Sequence, residues 1–171
     1  VSVDQLQRAV PADAVAALKA RVQRQYGRLA ARDGRLAEAV HAFDCALATL
    51  QGVPVASGGA CPLDVPRRSR IGAATIASGA GVGASGGPMV AETELERAGL
   101  LARVPGTDRA RILSDFSNAT DTLIASGASG NVVPAAMEVY LDLLADVDAR
   151  TPSSANEDRF FRALQSVGEP T

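Results

Sequence analysis

His41 is the sole histidine of the chain, and Cys45 stands four residues after it. On a helix, side chains four apart are neighbours, so imidazole and thiol can touch. A cysteine nucleophile also needs an exposed, electropositive setting and donors for an oxyanion. Neither is written around this pair, and Asp44 beside it adds negative charge. His41 is therefore read as an ordinary buried or surface histidine. No Cys-x-x-Cys spacing and no Cys/His cluster is read in the sequence, and with His41 the sole histidine a zinc site would lack ligands. Cys45 and Cys61, 16 positions apart, fit either one disulfide in an oxidising compartment or two buried thiols. Glu138, Asp142, Asp146 and Asp148 form an acidic side of one helical segment. A calcium-type cation needs more converging oxygens than one helix offers, so this is read as a solvated or salt-bridged face. No catalytic set, metal site, cofactor or small-molecule substrate is expected, and the chain reads as a non-enzyme.

Arginines are the second chemical signal. Arg21, Arg24, Arg28, Arg32 and Arg35 follow at intervals of 3, 4, 4 and 3, which puts them on one side of a helix. Guanidinium forks suit phosphates and carboxylates alike. The stripe can face water, pair with acidic helices of this or another chain, or hold a phosphate backbone. Arg67, Arg68 and Arg70 stand just before a glycine-rich run. The segment Gly81-Val82-Gly83-Ala84-Ser85-Gly86 is no P-loop, because it lacks the Gly-Lys-Ser/Thr sequence. The residues set down for nucleic acid are Arg21, Arg24, Arg28, Arg32, Arg67, Arg68 and Arg70.

Composition narrows the class. Of 171 residues, 47% are hydrophobic but only 4% aromatic, with no Trp. A packed core is available, and it must be aliphatic and alanine-rich. Recognition of bases by stacking is disfavoured for want of aromatic platforms. No run of 18 apolar residues occurs, so no membrane span is expected. The first residues lack the charged and apolar regions of a signal peptide, and none is expected. The net charge of −2 hides an asymmetry. Residues 1–70 hold ten basic and six acidic side chains, net +4; residues 71–171 hold seven and thirteen, net −6. Opposite halves can attract within one fold or head to tail between copies.

The elements follow from periodicity and punctuation. Over 11–50, Val15, Val22, Leu29, Leu36, Phe43 and Leu50 recur every seven residues, and Leu18, Val40 and Leu47 share their stripe. Pro11 suits a first helical turn. Such a seam lets helices pack side by side. Unbroken, the helix would run about 60 Å at 1.5 Å per residue; Asp33-Gly34 instead offers a break into a hairpin. Both outcomes stay open. Residues 52–89 are rich in Gly, Ala, Ser and Pro and read as a long excursion. Helices are expected at 90–103, with Glu92, Glu94 and Glu96 near the start, and from a Thr107 cap to about 125. Pro134 opens the next, ending at Thr151-Pro152. A capping box at Ser154–Glu157 begins the last, which would bury Phe161 and Leu164 and stop at Gly168. The expected fold is all-α: one domain over 1–171, a bundle of five to six helices with a long N-terminal helix or hairpin.

Gly27, Gly34, Ala39, Phe43 and Ala46 fall at spacings that resemble one tetratricopeptide repeat over about 30 residues. Tyr26 stands at a Leu position, Gln23 at the early Trp position and Gln51 at the closing Pro position. No second copy follows one period later, where Pro62, Pro66 and glycines stand. A solenoid needs several repeats to bury a core, so no peptide-binding function is carried over. The function expected is that of a structural subunit, packing against its own copies through Val15, Val22, Leu29, Leu36, Phe43 and Leu50. Coat and filament proteins work this way, and nucleic acid is a further partner through the arginines. The alternative is a monomeric interaction domain that presents the Arg67–Arg70 loop to a protein.

Overall fold

A computed structural model describes residues 12–55, 59–62, 87–128 and 134–167. Pro11, Arg67, Arg68, Arg70, Gly168 and most of the 52–89 segment lie outside these described residues. The described chain is all-helical, with six helices and no strand among the described residues. They are α1 (Ala12–Arg32), α2 (Leu36–Gln51), α3 (Pro88–Leu101), α4 (Arg109–Ala125), α5 (Pro134–Arg150) and α6 (Ser154–Val167). They fall into two compact units, residues 1–85 and 86–171.

In the first unit α1 and α2 form a hairpin. The break falls at Asp33-Gly34, so the five-heptad seam is not one helix. Gly34 takes φ +79°, a left-handed backbone that favours glycine. Its amide donates to the Ala31 carbonyl, and the Arg35 amide to that of Ala30, which closes the end of α1. Arg35 then ties the turn by pairing with Asp33 at 2.9 Å and with Glu38. The helices meet through small residues. Ala20, Gln23, Gly27 and Ala30 of α1 face Ala39, Ala42, Phe43 and Ala46 of α2, all buried. Gly27 lies so close to Phe43 that an added Cβ would sit 2.6 Å from the ring.

The second unit is built from α3 to α6, with α3 packed on α4 and α5, and α6 on α4 and α5. Its core holds Leu95, Ile112, Phe116, Leu123, Met137, Tyr140 and Leu144. Phe116 and Tyr140 stack with ring centroids 4.7 Å apart. Helix starts differ locally from expectation. α3 begins at Pro88, two residues early, because Pro suits the first turn. That moves Glu92, Glu94 and Glu96 out of the first turn: Glu96 is buried and Glu94 half-buried. α4 is capped by Asp108 rather than Thr107; the carboxylate accepts from the Ala110 amide at 2.9 Å, while Thr107 donates to the Val104 carbonyl. At α6 the cap is Ser153, whose hydroxyl accepts from the Asn156 amide at 3.2 Å.

Candidate functional site

α1 carries two faces of different character. The buried face is made of Ala20, Gly27 and Ala30 around Gln23. Gln23 accepts from the Thr49 hydroxyl at 3.0 Å, and its buried Nε2 has no partner. The opposite face holds the bulky residues of the heptad seam. Val15, Leu18, Val22 and Leu29 are between 42 and 63% exposed. Of the residues set down for self-association, Val15, Val22 and Leu29 thus face outward, Leu36 is half-buried, and Phe43 and Leu50 are buried in the hairpin. The reason is steric. Two helix axes approach closely only where side chains are small, so alanine and glycine took the contact and the branched residues were turned away.

A second outward apolar face lies on α6. The expectation that Phe161 and Leu164 are buried is overturned: Phe161 is 61% exposed, and Phe160, Leu164 and Val167 are exposed with it. Ala163, Ser166 and Asn156 are buried instead. The same steric rule applies, with small residues inward. Asn156 is anchored by its amide, which donates to the Thr151 carbonyl at 3.0 Å and reaches Asp148 at 3.5 Å. Phe160, Phe161 and Leu164, with Leu144 of α5, line an open cleft of about 710 Å³. Asp148, Glu157 and Asp158 stand at its edge.

The arginine stripe divides on folding. Arg21 and Arg32 are exposed, Arg28 is half-buried, and Arg24 is 7% exposed against the hairpin. Arg24 therefore does not present its guanidinium to solvent beside the others. On a helical wheel Arg32 and Arg21 lie about 70° and about 90° from the apolar stripe's centre, both on the same side of it, so they border it. On the acidic side of α5, Asp146 accepts from Arg109 and Arg150 at 2.7 Å and Asp148 from the Ser153 amide at 3.3 Å, while Glu138 and Asp142 are exposed. For Asp146 and Asp148 that is ion pairing and capping of the kind expected of a salt-bridged face.

Cys45 and Cys61 form a disulfide with their Cα atoms 5.7 Å apart. It fastens the segment after α2 to that helix. His41 Nε2 lies 3.2 Å from the Ala60 carbonyl and 3.7 Å from Cys45 Sγ. Contrary to the expectation that no Cys/His cluster forms, folding gathers the donor atoms of His41, Cys45 and Cys61 within 4.8 Å, because the disulfide draws Cys61 to the helix that carries the other two. With the two sulfurs bonded to each other, neither is a thiolate, so the trio is neither a nucleophile–base pair nor a three-ligand metal site in this state.

Two ionisable groups of the second unit are displaced from ordinary behaviour. Partial burial first, and the nearby Asp115 second, raise the Glu94 carboxyl, with Arg97 opposing. Burial raises the Tyr140 phenol, and the Ser117 hydrogen bond and Arg159 oppose it. Both sit in helix packing rather than in a cleft with a nucleophile. No helix among the described residues is long and apolar enough to cross a membrane. Comparison with family models, with curated proteins and with solved structures finds no match to the chain.

The heptad pattern locates the bulky stripe of α1 and groups it with Phe43 and Leu50 as one surface for self-association, whereas those two are buried in the hairpin. The α5–α6 cleft was missed. The signal for both is the set of small residues at helical spacing, Ala20-Gly27-Ala30 and Asn156-Ala163-Ser166, which mark the faces that are buried.

Proposed function

We propose that this chain is a non-enzymatic helical subunit that works by packing against other copies of itself, as coat and filament proteins do. The observation that supports this most is the outward face of α1: four bulky aliphatic side chains in a row, Val15, Leu18, Val22 and Leu29, on a helix whose inner face is already filled. Single exposed apolar residues are ordinary, but a contiguous row is a contact surface. A second outward face on α6 gives the chain two such surfaces, as repeated assembly requires. Nucleic acid, if the assembly holds any, would meet Arg21 and Arg32, which are exposed, rather than Arg24.

The test is the solution mass of the purified native protein by light scattering over a range of concentrations, with absorbance read at 260 and 280 nm. Without Trp and with only Tyr26 and Tyr140, the protein absorbs weakly at 280 nm, and bound nucleic acid would stand out. A mass that grows with concentration is expected. A 17.5 kDa monomer at every concentration refutes self-assembly and turns attention to the monomeric interaction domain, with a foreign protein as partner.

A further inference from the structure

The two outward apolar faces differ in the charge around them. The α1 face is bordered by Arg21 and Arg32, on the half of the chain that carries net +4. The cleft formed by Leu144, Phe160, Phe161 and Leu164 is edged by Glu157 and Asp158, on the half that carries net −6. Each offers what the other lacks. One is a convex row of aliphatic side chains with cations beside it. The other is an apolar concavity with carboxylates at its edge. We infer that the α1 face of one copy seats in the α5–α6 cleft of a second copy, so that the chain associates head to tail.

Pairing α1 with α1 would bring arginines to arginines, and pairing cleft with cleft would bring carboxylates to carboxylates; both are opposed by like charge. The unlike pairing buries Val15, Leu18, Val22 and Leu29 against two phenylalanines and two leucines while the rim charges pair. The row from Val15 to Leu29 is about 21 Å long at 1.5 Å per residue, a single-helix footprint. Helix-in-groove recognition uses anchors at this spacing. Because the contact is heterologous, each bound copy leaves one face free at either end, and growth continues into a ring or a filament. Rim pairs in water are screened by salt, so association weakens as ionic strength rises.

This inference rests on the self-assembly reading, and complementation separates the two. In one full-length variant Leu18 and Leu29 are replaced (L18E and L29E together), which disables the α1 face. In the other Phe161→Glu disables the cleft. All three positions are exposed, so both variants should fold, as circular dichroism will show. Each variant alone is expected to be monomeric by light scattering. Mixed in equal amounts they should give a 1:1 dimer that grows no further, because only one intact face and one intact cleft remain to meet. As a second arm, reversing the rim charges (R21E/R32E against E157R/D158R) should abolish association in each variant alone and restore it in the mixture. Assembly that survives Phe161→Glu but not the α1 variant would mean that α1 pairs with itself or with another surface; this overturns the head-to-tail contact and leaves self-assembly standing. Absence of the 1:1 dimer in the first mixture, or of restored association in the second, also overturns the contact. A monomeric wild-type protein overturns both readings.

Discussion

Gly27→Ala should destabilise the α1–α2 hairpin, although alanine is the better helix former. In an unhindered helix interior the change gains about 1 kcal/mol from propensity alone. Here the new methyl would lie 2.6 Å from Cε2 and 2.8 Å from Cδ2 of Phe43, and 3.3 Å from the Ala39 carbonyl oxygen. Carbon atoms rest at about 3.5–4.0 Å, so the ring must retreat by roughly an ångström. Phe43 is 1% exposed, so the ring does not simply move out into solvent. Overpacking of this kind costs about 1–3 kcal/mol, and two contacts well inside the limit place it in the upper part of that range. The net expectation is a loss of about 1–2 kcal/mol. Hydrogen exchange across α1 and α2 in the full chain reads this directly, with about a tenfold fall in protection per 1.4 kcal/mol. Gly27→Ala combined with Phe43→Leu separates the causes: the smaller side chain gives the methyl room, so the penalty of adding it should shrink or reverse. A single Gly27→Ala variant that is more stable than the parent would refute the close approach of α1 to α2, and with it the argument that small residues chose the buried face.

Three further outcomes are expected. Glu94 has its folded-state pKa raised, chiefly by burial, so its favourable contribution is present below the ordinary carboxylate range and is lost as pH rises through the raised value. Glu94→Gln should therefore stabilise the protein near pH 7, and the gain should vanish in urea titrations near pH 4; a gain independent of pH contradicts the assignment. Asp108→Ala should cost about 1 kcal/mol, since the carboxylate caps α4 at the Ala110 amide. Thermal unfolding that leaves Asp108→Ala unchanged would place the cap elsewhere. Replacing Cys45 and Cys61 by Ala removes a cross-link between residues 16 apart and should lower stability by about 3 kcal/mol. Mass spectrometry after thiol alkylation without reductant checks the bond first: two alkylated cysteines would show that it does not form.

The helices of this chain were readable because helix-making is local. Pro134, Asp33-Gly34, Pro105-Gly106 and Thr151-Pro152 punctuate it, and 3.6-residue periodicity fills the intervals, so the starts at Arg109, Pro134 and Ser154 fall within two residues of where pattern places them, and Pro88 opens its helix two residues before the expected start. The break at Asp33-Gly34 itself was undecided, since the heptad runs across it undisturbed. What pattern could not say is which face each helix turns inward. Hydrophobicity ranks Val22, Leu29 and Phe161 above Ala20, Gly27 and Ala163, yet the second group is buried. Burial of a face depends on how near another helix can come, a property of two helices together that neither contains alone. In an alanine-rich chain with few aromatics, the closest approach is made by the smallest side chains. On α1 and α6 the bulk is left on the outside.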